Sequence, residues 1–473
     1  MLKKSLSIGI IVLCISSLQA CSSVPDVPYH AICKDQKVCS DELLERAVSV
    51  RSNLFIKPNG WGSCFLDPTP PLSGSENLLE SSICPKNATE TRNQTEFQQA
   101  WIEYAEDGTP HDIWQKAAIL HWIKNHKGPL HVLVYVHGWH NNADDLSNRD
   151  PRNNAIKFAF MASRHVDTLK RLHITNKIQQ TDVLAIYVGW PGEIYASNPL
   201  LSLLSINSRS KVADRIGDPA GHFKRDLLEI SSSLSESKGS QGHIFVMGHS
   251  LGGRILANAF MPDLAKGNIY PLGHKSLIVT VNAAVGADCY DPIFGPQGVN
   301  PSADRPYWIN LTSENDDATK ITYKYAKQFG LVDSCNAQSP AAKMTVGHYG
   351  PYLRQFLDNA RNISTNTIST FEDTKEIAVN SSEFSWFRKS GILRVTFPYR
   401  ENNNLNYQKT DQYLIDFGPQ QKTDESRLSD AIWNVRSDQS LIDFDIGGGG
   451  INGRHNGFIT TIPSRLLLEI LYK

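Results

Sequence analysis

The sharpest chemical motif of this chain is one pentapeptide, Gly248-His249-Ser250-Leu251-Gly252. It follows the apolar run His243–Met247 and opens a stretch, Gly252 to Phe260, with helical character. A serine flanked by Gly248 and Gly252 suits a sharp strand-to-helix turn, because side chains two residues either side of it would collide. The hydroxyl then projects at a helix N-terminus, where the dipole favours developing negative charge. That is the setting of a nucleophile that attacks a carbonyl. Such a serine needs a base to take its proton, an acid to orient the base, and N–H donors for the oxyanion.

Those partners must be carried by the neighbouring elements. Trp101-Ile102-Glu103-Tyr104 alternates like a strand and stops at the turn signal Asp107-Gly108. Ile113 to Ile123 has helical spacing, and His131–Val136 is a continuous β-branched run, as a buried parallel strand requires. Helices are expected over Ala155–Arg171, Ala220–Leu234 and Pro463–Leu471. Strands are expected at Val183–Val188, Ile244–Met247, Ser276–Val281, Tyr307–Leu311 and Ile392–Phe397, with a last strand-like region at Ala431–Ile446. The alternation implies an α/β fold: a mostly parallel central sheet with helices on both faces. Residues 336–425 are less regular and read as an insertion over the sheet.

With the elbow, the strand Tyr135-Val136 and the following His137-Gly138-Trp139 in place, the chain resembles a serine hydrolase of the α/β-hydrolase superfamily over about residues 96–473. The resemblance implies an oxyanion hole formed by the amides of Trp139 and Leu251. The superfamily's chain order of serine, acid, histidine implies an acid after a later strand, Asp316 or, second, Asp317, with Asp288 and Asp291 as outside candidates. It implies His455 as the base, in Gly453-Arg454-His455-Asn456-Gly457, with His348 as the alternative. His137 and His140 are expected to support the oxyanion loop, His249 to pack beside the site, and Trp190-Pro191-Gly192 to line a pocket.

The implied activity is cleavage of small or medium carboxylic esters, with no metal and no organic cofactor. Rival readings are an acyltransferase or thioesterase using the same residues, and a non-catalytic envelope lipoprotein that kept the fold. A zinc site is disfavoured because no CxxC pair occurs.

Lys3 and Lys4 precede an apolar stretch, Ile8–Leu18, too short to span a bilayer, and Leu18-Gln19-Ala20-Cys21 resembles a bacterial lipobox. Residues 1–20 are thus expected to be a signal peptide, Cys21 the lipidated residue, and 21–95 a tether and cap before the 96–473 domain. The resemblance, with Ser22 after the cysteine, implies attachment to the outer membrane facing the periplasm. Forty-seven basic residues stand against 48 acidic ones, and removing the signal leaves 45 against 48, or −3. That near-neutral balance argues against nucleic-acid binding. Six cysteines then remain besides Cys21, and an oxidising compartment suggests Cys33–Cys39, Cys64–Cys84 and Cys289–Cys335 as the sequence-local pairing.

Overall fold

The computed structural model describes residues 27–33, 37–56, 64–66, 92–144, 154–174, 178–193, 199–328, 330–359, 376–377, 385–389, 392–401, 404–416, 430–437, 455 and 464–472. Residues 1–20, expected to be a signal peptide, Cys21, Cys84, the Gly447–Gly450 run and the neighbours of His455 fall outside these residues.

Fourteen strands form one sheet among the described residues. In chain order they are β1 (Ser49–Ile56), β2 (Cys64–Leu66), β3 (Arg92–Glu103), β4 (Leu130–Val136), β5 (Asp182–Gly189), β6 (Gly242–His249) and β7 (Ser276–Val281). β8 (Trp308–Ser313), β9 (Gln355–Asn359), β10 (Glu376–Ile377), β11 (Ser385–Lys389), β12 (Ile392–Glu401), β13 (Asn404–Asp416) and β14 (Ile432–Ser437) follow. The helices are α1 (Asp41–Arg46), α2 (Ile113–Asn125), α3 (Asn154–Ile174), α4 (Pro199–Ile216), α5 (His222–Lys238), α6 (Leu251–Ala265), α7 (Asp291–Phe294), α8 (Tyr323–Gln328) and α9 (Ser464–Tyr472). None of the described helices is long and apolar enough to cross a membrane.

The centre of the sheet is a run of parallel pairs in the order β3-β5-β4-β6-β7-β8-β14-β9. Parallel pairing needs crossovers that cover the sheet, and the central strands β4 to β7 are accordingly buried and largely apolar on both faces. Along β4, Val132, Val134 and Val136 join the core beneath α2, α4, α5 and α6. Leu133 and Tyr135 point the other way, into the core beneath α3 and α9. The expected α/β architecture is therefore observed.

Three expectations change. Within the expected tether and cap, Asp41–Arg46 form α1 and Ser49–Ile56 form β1, antiparallel to β3. Part of the expected tether thus belongs to the sheet. The span 336–425 lies only partly over the sheet in its described part: Ala341, Val346 and Tyr352 pack in the core on one face, while β9 joins the parallel run beside β14, and β13, β12, β11 and β10 extend the edge antiparallel. Residues 199–216, assigned no element from sequence, form α4.

Two of the expected disulfides are present, Cys33–Cys39 and Cys289–Cys335; the Cys64–Cys84 pairing lies outside the described residues. The first closes a loop that is clasped to the sheet. The Tyr29 and His30 amides donate to the Glu103 carboxylate at 2.8 and 2.7 Å, and the Ile32 amide donates to Asp112 at 2.7 Å.

Candidate active site

The turn between β6 and α6 carries Ser250 in a backbone conformation that L-residues seldom adopt, φ 55° and ψ −117°. Such a conformation costs of order 1–3 kcal/mol and persists only where its surroundings over-determine it. Here the Ser250 N–H donates to Val281 O, and Ser250 O accepts from the Ala284 N–H, each at 3.0 Å. The glycine requirement is one of close approach. A Cβ on Gly252 would lie 2.1 Å from Val136 O, and one on Gly248 would lie 2.6 Å from Gly252 O. Helix α6 can press so closely against β4 and β6 only because these side chains are missing.

The loop after β4 lies directly on this turn, since a Cβ on Gly138 would meet Ser250 Cβ at 2.8 Å. Its geometry is set by Trp190. The Trp190 N–H donates to His137 Nε2 at 3.1 Å, so that nitrogen is the acceptor. Nδ1 then carries the proton and donates to Gly138 O at 2.9 Å. Trp190 also stacks on the His137 ring at 5.2 Å and 4°, and its indole N–H donates to His137 O at 2.9 Å. Burial drives the His137 pKa down to about 4, which keeps this neutral tautomer in place. The His140 amide donates to Gly192 O, and Asn141 Nδ2 donates to Trp139 O at 2.8 Å. Trp190-Pro191-Gly192 is thus a brace for the loop; Trp190 and Pro191 line a hollow with Tyr29, Glu103 and Asn142, away from Ser250.

That brace has a consequence for Trp139. A trans peptide carries its C=O and the next N–H in opposite directions. Fixing Gly138 O toward His137 and Asn141 turns the Trp139 N–H away from them. Leu251 is the first residue of α6, where the helix itself offers its N–H no acceptor. Among the described residues neither amide has a hydrogen-bond partner.

At the ends of β7 and β8 the acid and the imidazole meet. His455 Nδ1 is 2.8 Å from Asp316 Oδ1, and Asp316 is fully buried. Burial alone would raise the carboxyl pKa, but His455, hydrogen bonds and nearby His348 outweigh it and hold the group below its ordinary value. The backbone of His455 is pinned over the Ser250 turn. Its carbonyl accepts from His249 Nε2 at 3.0 Å and from Asn282 Nδ2 at 3.1 Å. His249 immediately precedes Ser250, and Asn282 immediately follows the residue that holds the Ser250 N–H. Among the described hydrogen bonds none joins Ser250 Oγ to His455 Nε2. Such contacts often tighten only when substrate binds.

The other candidates have other duties. Asp317 is half-buried and its amide donates to Asn315 O at 2.9 Å. Asp288 accepts from the Asn336 N–H at 2.7 Å, and Asp291 accepts from the Tyr352 hydroxyl at 2.6 Å. Both therefore fasten residues 336–352 beside the Cys289–Cys335 bridge. His348 faces neither Ser250 nor His455; its Nε2 lies 3.2 Å from Thr319 Oγ1. Thr319, which sequence reasoning passed over, donates its hydroxyl to Asp316 Oδ2 and its amide to Oδ1 at 3.3 Å. The i, i+3 spacing of Asp316 and Thr319, ordinary for a side chain that caps a helical turn, was the available signal.

Among the described residues no group of three or more His, Cys, Asp or Glu side chains could hold a metal ion. The chain matches no protein-family model and no curated protein.

Proposed function

We propose that this protein is a serine hydrolase of the α/β-hydrolase type that cleaves carboxylic esters through an acyl-enzyme. The observation that carries the reading is the buried Asp316–His455 pair at 2.8 Å, tied by the His455 carbonyl to the turn that strains Ser250. Ser250 Oγ attacks the ester carbonyl while His455 Nε2 accepts its proton. Asp316 holds the Nδ1–H tautomer and stabilises the imidazolium. The Trp139 and Leu251 amides receive the oxyanion, and donors of this kind are worth about 3–4 kcal/mol each. His455 then protonates the leaving alcohol, and water, activated by the same imidazole, attacks the acyl carbonyl and frees Ser250.

In this reading the chain is lipid-anchored through Cys21 at the outer membrane of a bacterial envelope. The lipobox-like Leu18–Cys21 supports that placement, and the clasped segment from Tyr29 onward would hold the domain close to its anchor.

The test is labelling with a fluorophosphonate. Native protein is expected to react at Ser250, and Ser250→Ala not to react; equal labelling of both, or of neither, rejects the assignment. Nitrophenyl esters of increasing acyl length then define the pocket. Replacing Cys21 by alanine should release the protein from the membrane fraction, and retention there would reject the anchor.

A further inference from the structure

We propose that Thr319 and His348 are positioning residues that set the Asp316 carboxylate for His455. The inference rests on reading Asp316 and His455 as the orienting acid and the base.

A carboxylate held by one oxygen can turn about its last bond, and a base oriented by it would then wander. Asp316 is held by both. Oδ1 faces His455 Nδ1 at 2.8 Å, and Oδ2 takes the Thr319 hydroxyl proton. The ionised acid can only accept, so the direction of that proton is fixed. The Thr319 oxygen keeps a lone pair, and His348 Nε2 at 3.2 Å is placed to donate into it. The result is one ordered chain of donors, His348 to Thr319 to Asp316, with His455 donating to the same acid from the other side. Asp316, Thr319 and His348 are 0%, 3% and 5% exposed, so no water competes for these bonds.

The chain is anchored at its far end. The His348 amide donates to Thr345 O at 3.0 Å, and Thr345 Oγ1 donates to Thr319 O at 3.4 Å. Residues of β14 hold the same loop, Asn434 Nδ2 donating to Val346 O at 3.0 Å and Arg436 to Gly347 O at 3.4 Å. The charges facing His348 are Asp316, which favours its protonation, and Arg436 and Lys320, which oppose it. Burial outweighs them all and lowers its pKa to about 4. His348 therefore stays neutral as a donor through the range in which a histidine base works.

The test uses the full-length protein with Thr319→Val, Thr319→Ser, His348→Leu and His348→Gln. Three readouts are followed: the fluorophosphonate labelling rate, kcat and KM for a nitrophenyl ester across pH, and the low-field proton resonance of the His455 Nδ1–H. Thr319→Val should slow labelling and kcat about ten- to hundred-fold, the factor one hydrogen bond to a charged group carries. KM should stay unchanged, the low-field resonance should shift or vanish, and the pH–rate profile should move to lower pH. Serine at 319 should restore all three. His348→Leu should fall about three- to tenfold, with glutamine recovering part of it, because it acts one bond further away.

Wild-type rate, profile and resonance in Thr319→Val would overturn the proposal, and unchanged behaviour of both His348 variants would remove His348 from it. If wild type and Ser250→Ala prove equally unreactive, the hydrolase reading itself fails. The low-field resonance, which needs no turnover, then decides whether Thr319 and His348 position the pair.

Discussion

Two groups of histidines lie at opposite ends of the parallel strands. At the carboxyl ends stand His137, His249, His348 and His455; at the amino ends His131, on β4, and His243, on β6, meet His165 of α3. The second group is at least as buried as the first and as well joined. His131 Nε2 is 3.2 Å from His165 Nδ1, the Tyr472 hydroxyl is 3.3 Å from His131 Nδ1, and His243 stacks on Tyr472 at 4.0 Å. The difference is the charge that faces each group. Asp316 stands against His455, whereas Arg164 faces His165, and Lys275 and Arg305 face His243. Burial first, and then these cations, lower His165 and His243 to about 3, and burial with the neighbouring imidazoles also lowers His131. The amino-end histidines are walled by aromatics and cations, whereas His455 is hydrogen-bonded to a buried carboxylate.

The sharpest way to break this comparison is to remove the carboxylate's charge while keeping its shape. Asp316→Asn can offer His455 an N–H where it needs an acceptor, which favours the wrong tautomer. In the reading proposed above, kcat should fall on the order of 10³–10⁴-fold with KM little changed, the scale seen when a triad acid loses its charge. Steady-state kinetics on folded protein decide it. A loss below tenfold would mean that the partner's charge does not distinguish the two ends.

Acid unfolding sharpens the contrast from the other side. The folded pKa values of His131, His165 and His243 lie below the unfolded value near 6.5, so the unfolded chain binds protons first as pH falls. Their neutral burial is without penalty above that pH. Each then costs about 1.4 kcal/mol per pH unit below it, down to its folded value. Asp316 is also depressed, but a carboxyl's contribution is lost only below its unfolded value near 3.9. Denaturant midpoints should therefore drop steeply from pH 6 to pH 4, before Asp316 is protonated, and His243→Phe should flatten that slope only modestly, because His137, His140, His249 and His348 are lowered by burial as well. A slope insensitive to substitution would place the acid lability elsewhere.

Trp190→Phe probes the loop end of the first group. It keeps the stack on His137 but removes the indole N–H that holds His137 O. One such bond contributes about 1 kcal/mol, so labelling should slow by roughly fivefold while the melting temperature changes little. An unchanged rate would show that the backbone bond from the Trp190 N–H to His137 is sufficient.

These contacts also mark what a sequence can and cannot disclose. Turn chemistry pointed to Ser250, and the chain order of the resemblance pointed to Asp316 and His455, which the structure brings together at 2.8 Å. The brace was not legible: Trp190 and His137 follow different strands, β5 and β4, and Pro191-Gly192 already explained the local turn. Thr319 and His348 share that problem, because a hydrogen bond between distant loops leaves no period. The strands β1 and β9 stayed hidden for a related reason, since an added strand is stabilised by its partner more than by its own residues. Helix α4 was obscured by Ser202, Ser205, Ser208 and Ser210, which compete for backbone groups. In the structure Ser208 and Ser210 resolve that competition by donating to carbonyls three residues back, each at 2.9 Å.

The smallest effect is expected at Tyr472, where the core group touches the last turn of α9. Its hydroxyl, 3.3 Å from His131 Nδ1, makes a long contact between neutral groups, and its ring packs on both His131 and His243. Tyr472→Phe keeps the ring and removes the oxygen, so stability at neutral pH should fall by no more than about 1 kcal/mol. The stacking that excludes water from His131 and His243 would persist, and the steep loss between pH 6 and pH 4 should persist with it. In the reading proposed above the esterase rate should not change, because among the described residues no hydrogen bond joins the amino-end histidines to Ser250. A Tyr472→Phe protein that lost activity but kept its stability would show that the two histidine groups are coupled through β4 and β6. The separation of core from chemistry argued above would then be wrong.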